Sequence, residues 1–191
     1  DKLIGPPSWK LNPQSMKGVL VSAVIGDGDW VTAVNYAFAN NIKVNPDPAT
    51  YDAEAVNFLA SANDDYIESA KELIKSQKEG WTIPLKEVKE GKLTGKTINK
   101  KVDGCATWTP GDKMVFDALT GFTDIVSTKE FNNQMATTII MLKQWAERNK
   151  EVVNNLLKSS YMASNQFKQY ERWRRKASEV VAKTFAMEDS D

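Results

Sequence analysis

Histidine is missing from all 191 residues of the chain, and cysteine occurs once, as Cys105. Without histidine there are no Ser-His or Cys-His nucleophile pairs, no histidine-ligated zinc and no side chain that ordinarily moves protons near neutral pH. Catalysis would fall to carboxylates, lysine or tyrosine, and the chain reads as a non-enzyme with no cofactor. One cysteine forms no disulfide within the chain and fixes no redox compartment. Cys105 sits in an apolar stretch and reads as a buried strand residue rather than a reactive thiol. An excess of one charge is also lacking. Lys+Arg and Asp+Glu stand at 25 each, so no global field draws the chain to nucleic acid or an anionic membrane. No apolar run approaches the roughly 20 residues that a membrane helix needs. The chain opens at Asp1 with neither an initiator methionine nor a signal peptide, as a mature, processed or truncated form would.

What is present is enough chain for one large domain or two small ones with a real core. Its organising stretch is Gly18 to Trp30, G-V-L-V-S-A-V-I-G-D-G-D-W. Val19, Leu20, Val21, Val24 and Ile25 predict a buried strand, Gly26-Asp27-Gly28-Asp29 a loop, and Trp30, Val34, Ala37 and Phe38 one face of a following helix. Asp27 or Asp29 is placed to cap that helix. The spacing is not G-x-G-x-x-G, so no dinucleotide fingerprint is read here. A strand that ends in a glycine loop and a helix start is still a common ligand wall, because free N–H groups and the positive helix end converge there. Ile42 to Pro46 predicts a second short strand, which makes a βαβ unit.

Elsewhere the pattern is plainer. Pro6, Pro7 and Pro13 with Gly5 predict an extended, turn-rich start, with Trp9 as its anchor or as a ligand-stacking ring. Tyr51 to Ala60 reads as a short helix, and Asn63 or Asp64 as the cap of a better one bearing Tyr66, Ile67, Ala70, Leu73 and Ile74. Residues 82–101 hold six lysines and two glutamates and predict an exposed hairpin turning at Glu90-Gly91, its lysines guarding strand edges or docking an acidic partner. A core strand over Val102–Trp108, a short helix bearing Met114, Val115, Ala118 and Leu119, and a strand over Thr123–Ser127 follow. From Lys129 on the chain reads as helical: Phe131 to Trp145, then Val152 to Tyr161, then Trp173 to Phe185. The basic cluster around Trp173 reads as a solvated face.

Three segments carry a resemblance. They are L-N-P-Q-S-M-K-G-V-L-V-S-A-V-I-G-D-G-D-W, V-D-G-C-A-T-W-T-P-G-D, and S-T-K-E-F with the following W-A-E-R-N-K-E-V-V-N-N-L-L-K-S-S-Y. Together they resemble the two-lobed substrate-binding proteins of ABC transporters related to nitrate, taurine and thiamine-precursor binders. Within these they resemble a bacterial phosphate-type subgroup sometimes fused to an outer-membrane-protein-A-like domain. The resemblance implies an α/β, type II periplasmic-binding-protein-like three-layer lobe with a mixed, mostly parallel sheet, over residues 1–126. Residues 127–191 become a helical segment that packs on the first lobe or on a partner. It also implies a periplasmic or exported protein whose partners are a small polar solute, the first lobe and a transporter permease, with the lobes closing about segments near 10–17 and 121–129. The ligand-binding residues it implies are Gly26, Asp27, Gly28, Asp29, Trp30, Thr107, Trp108, Thr109, Asp112, Ser127 and Thr128, with no metal. The residues themselves leave the ligand open, since Asp27, Asp29 and Asp112 suit a cationic or hydroxyl-rich solute at least as well as phosphate. A structural or interaction protein that reuses the fold is the other reading.

Overall fold

The computed structural model describes residues 1–131 and 138–184. The chain divides into two compact units, Asp1–Met135 and Ala136–Asp191. The first is mixed α/β. Its main sheet holds β1 (Lys2–Gly5), β2 (Leu20–Ala23), β3 (Lys43–Val44), β5 (Ala55–Ala60), β8 (Gly104–Thr107) and β9 (Thr123–Ser127) in the order β3-β5-β2-β8-β1-β9. Strands β3, β5, β2 and β8 run parallel, and β1 lies antiparallel between β8 and β9. A smaller sheet, β4-β6-β7, is built from β4 (Thr50–Asp52), β6 (Thr82–Lys89) and β7 (Lys92–Lys101).

Period-two alternation sorts the strands into two cores. Leu3, Val21, Ala23, Val56, Phe58 and Ala106 face helix α2 (Gly28–Ala39), whose Ala33 and Ala37 meet them. Ile4, Leu20 and Cys105 face α3 (Tyr66–Glu79) and α4 (Gly111–Ala118) through Ala70, Leu73 and Val115. A helix thus covers each face of the sheet, and both strand faces are apolar as parallel strands require. Trp9 is an anchor and not a ligand-stacking ring, being only 3% exposed. It follows Ser8 in the one-turn helix α1 (Ser8–Leu11), and its ring lies where Cβ atoms on Gly5 and Gly104 would sit 2.3 and 2.6 Å from it.

Several sequence expectations are corrected. The proline-rich start is extended and turn-rich as expected, but its extended part, Lys2–Gly5, is an inner strand of the sheet, and residues 10–17 form the end of α1 and a 3-10 turn, Pro13–Met16. Four residues ahead of Pro6 and Pro7 are enough for a strand, and the prolines only end it. Tyr51–Ala60 is not a helix but β4 and β5. Val56 and Leu59 fit a helical spacing, yet Val56 and Phe58 share a sheet face, and a run this short is ambiguous between the two periods. Phe38 is 61% exposed, because α2 packs instead along Asp29, Ala33 and Ala37. Asp65, not Asn63 or Asp64, caps α3, accepting a hydrogen bond from Ile67 N at 2.7 Å. β3 and β2 are parallel as expected but are separated by β5.

The hairpin β6–β7 turns where expected, with φ of 52° at Glu90 and 76° at Gly91, the left-handed pair of a two-residue turn. In the second unit, α5 (Lys143–Arg148), α6 (Lys150–Gln169) and α7 (Glu171–Thr184) bury no residue. The long helix expected from Phe131 does not span 138–142, where β-branched Thr138, Ile139 and Ile140 disfavour helix. Its part over 132–137, like Phe185, lies outside the described residues. Arg174 from the basic cluster donates to the carbonyls of Phe167 and Lys168, answering the last carbonyls of α6.

Candidate functional site

In an open sheet with parallel strands, ligands are held outside the carboxyl ends of those strands. Here β2, β5 and β8 open at that edge into residues 24–27, 61–65 and 108–110. Because β1 is antiparallel, its first residue arrives at the same edge: Lys2 lies opposite Thr107 on one side and Ser127 on the other.

The first loop turns at Gly26, whose φ of 89° is left-handed. Asp27 is the N-cap of α2, accepting from Gly28 N at 2.7 Å. Gly28 lies against Asp1, whose Oδ2 is 2.7 Å from where a Cβ on residue 28 would sit. Asp29 is 1% exposed. Its Oδ1 accepts from Trp30 N at 2.7 Å, while Oδ2 is buried and has no partner among the described residues. Burial, with the neighbouring Asp27 charge, pushes the Asp29 carboxyl up to about 7. Trp30 turns away into the core and meets Phe58 edge-on with ring centroids 5.9 Å apart.

In the loop after β8, Thr107 is committed to structure. Its hydroxyl donates to Tyr66 O at 2.8 Å, and Gly111 is the residue that leaves room for it. Trp108 is 42% exposed and lies on the Tyr66 ring, centroids 4.3 Å apart. Thr109 Oγ1 donates to Asp112 Oδ2 at 3.2 Å. Lys2 Nζ reaches the same oxygen at 2.8 Å and Asp124 at 3.2 Å. Burial pushes Asp112 upward, but the Lys2 ammonium outweighs it and holds the carboxyl below its ordinary value. Ser127 donates its hydroxyl to Glu130 at 2.6 Å, and Thr128 N donates to Asp1 O at 3.1 Å.

The carboxyl edge therefore gathers Gly26, Asp27, Gly28, Asp29, Trp108, Thr109, Asp112, Ser127 and Thr128. Trp30 is turned into the core and Thr107 is held between elements. Lys2, Ser61 and Tyr66 join the edge and were not expected. The hydroxyls of Ser61 and Tyr66 are buried without a partner among the described residues. Lys2 was hidden because its role depends on β1 being an inner strand. Tyr66 carried the signal of a core helix face, and Ser61 carried none. Cys105 lies beneath, where burial pushes its thiol far above the thiolate range and leaves it inert.

A cavity of about 490 Å³ lies elsewhere, at the amino end of β5, lined by Lys43, Asn45, Thr50, Asp52, Lys86 and Leu93 among others. Its buried polar groups are already partnered: Asn45 with Thr50 and Asn57, and Asp52 with Lys43 at 2.5 Å. Buried polar atoms without a partner among the described residues lie elsewhere: Asp29 Oδ2, Ser61 Oγ and Tyr66 OH near the carboxyl edge, Trp30 Nε1 in the core and Asp124 Oδ1 on β9. Comparison with family models, curated proteins and solved structures returned no match.

Proposed function

We propose that the α/β unit is one lobe of a solute-binding module of the ABC-transporter type, with a type II periplasmic-binding-protein fold, and that it presents its carboxyl edge to a small polar solute. On this reading the protein is exported, delivers its solute to a permease and catalyses nothing. The observation that carries the proposal is the pairing of Lys2 with Ser127. The strand that begins the unit and the strand that ends it lie side by side, and both have their free ends at the edge where the ligand loops open. Two adjacent crossings bordering a cleft are what a two-lobed hinge requires. The exposed Trp108 ring supplies part of the wall.

The test is an amide-resonance titration of the chain with small amines, sugars, sulfonates and phosphate, at concentrations high enough for half a cleft to respond. Shifts confined to residues 24–30, 61–66 and 108–112 support the proposal. Shifts on the β6–β7 hairpin instead, or from no solute, refute it. A second reading, an interaction protein that reuses the fold within an assembly, rests on α6, where Val152, Leu156, Leu157, Tyr161 and Met162 are all exposed. Light scattering that finds a stable stoichiometric assembly favours that reading.

A further inference from the structure

Independently of the cleft reading, we propose that the outer face of the small sheet is a docking trough for an extended, acidic segment of a partner protein. β4, β6 and β7 turn one face to the core, through Tyr51, Ile83 and Leu85. Thr50, Asp52, Lys86, Val88, Leu93 and Thr97 stand on the other. The register sets this: Thr50 lies opposite Lys86, Asp52 opposite Val88, Lys86 opposite Thr97 and Val88 opposite Leu93. The cavity of about 490 Å³ covers the β4 side of that face, and a second, of about 280 Å³, covers the β7 side. Lys86 and Leu93 line both, so the two form one trough. From β4 to β7 it crosses two strand spacings, roughly 10 Å, the length of about three residues of extended chain.

Its charges are unevenly spent. In the first cavity Asp52 is paired with Lys43, and Asp47 Oδ1 accepts from Ala49 N at 2.9 Å. The second cavity is lined by Lys86 and Lys96 and by no carboxylate. Neither ammonium has a partner among the described residues, and the nearby Glu87 accepts from the Thr94 hydroxyl at 2.7 Å. Guarding a strand edge does not explain Lys86, because β6 is the middle strand between β4 and β7. Two unpaired ammoniums around one cavity repel each other and favour an anionic occupant. Leu93, 62% exposed, and Val88 give the trough an apolar floor, which suits a segment with apolar side chains beside its acids. At Gly95, where φ is 83°, an added Cβ would meet nothing within 4 Å, so the β7 end is open to a chain that continues beyond it. No aromatic ring lines either cavity, and single-stranded nucleic acid is ordinarily held by stacking on such rings. A peptide is favoured over a nucleic acid.

The experiment titrates the wild-type chain at low salt with a short peptide alternating glutamate and leucine, following amide resonances. The same peptide with glutamine for glutamate and a single-stranded oligonucleotide are the comparisons. The acidic peptide is expected to shift residues 43–52, 86–88 and 93–97, less so as salt is raised, and the glutamine peptide to leave them still. K86Q and K96Q alter exposed side chains and are each expected to weaken binding about two- to fivefold, the size of one exposed ion pair. K78Q removes the same charge from α3 and is expected to leave the affinity unchanged. Equal weakening by K78Q, or an equal response to the glutamine peptide, overturns the trough as a site that reads acids. An oligonucleotide that shifts these resonances where the acidic peptide does not overturns the peptide class. Silence of the acidic peptide overturns this inference and leaves the cleft reading, tested with small solutes at other residues, untouched.

Discussion

Replacing Asp29 with asparagine tests the physical state of the buried acid in the first turn of α2. The carboxyl is pushed from an ordinary 3.8 up to about 7 in the folded chain, chiefly by burial. Between those values the native state holds a proton that the unfolded chain has released. Stability contributed by this group is therefore full below about pH 4, falls as pH rises, and is lost above about pH 7. A span of that size corresponds to roughly 4 kcal/mol. The asparagine of the variant binds no proton, so the share of the slope that Asp29 contributes disappears. Its amide still needs an acceptor where Oδ2 had no donor, a debit of about 1 kcal/mol at every pH.

The variant is thus expected to be slightly weaker than wild type near pH 4 and more stable, by about 2–3 kcal/mol, near pH 8. Urea unfolding followed by tryptophan fluorescence across that range measures both chains. Glu72 and Asp103 are also raised by burial and slope the same way, so the difference between the two chains, not the wild-type slope, isolates Asp29. A wild-type chain that loses no stability relative to D29N on going to high pH would mean that the folded carboxylate is ionised and partnered, and would refute the argument.

Two substitutions test the frame around the site. Gly104→Ala places a Cβ 2.6 Å from Ile4 O and from the Trp9 ring, where backbone and packed indole leave nothing to yield. A loss of about 2–3 kcal/mol by urea unfolding is expected, and a neutral result would show that β1 and Trp9 are looser than described. Asn57→Ala removes a side chain that donates to the Val19, Asp52 and Ala55 carbonyls and accepts from Asp52 N and Asn45. It is expected to cost about 3 kcal/mol. Faster hydrogen exchange at the Asp52 amide, newly without its acceptor, is the accompanying sign.

How much was legible in the sequence varied with how local the determining forces are. The strand-loop-helix from Gly18 was readable because apolar run, glycine and capping acid follow one another within a dozen residues. The hairpin was readable because Glu90-Gly91 can take the left-handed pair that a tight turn needs. β1 was hidden: Lys2–Gly5 is held by partners on β8 and β9, a hundred residues away, and no local pattern announces them. β5 was misread because a run of six residues fits either period until its neighbours decide. At the site, the acids of the two loops were visible as residue types. That Asp27 is spent on a cap, Asp112 on an ion pair and Asp29 on neither follows only from the arrival of Lys2 and the burial of α2's first turn.

The place of β1 in the sheet also sets an order of events during synthesis. Leu3 and Ile4 leave the ribosome before the rest of the unit, yet each needs a partner from both β8 and β9. β2 and β5 pair across a short stretch of chain and are free to form early, whereas β1 must wait until Ser127 has been made. Until then β8, once synthesised, has an unpaired side facing where β1 belongs, and any extended apolar segment of another chain is a competitor for it. The unit is therefore expected to be most prone to misassociate when nearly all of its own sequence has been made and β1 has not yet been placed.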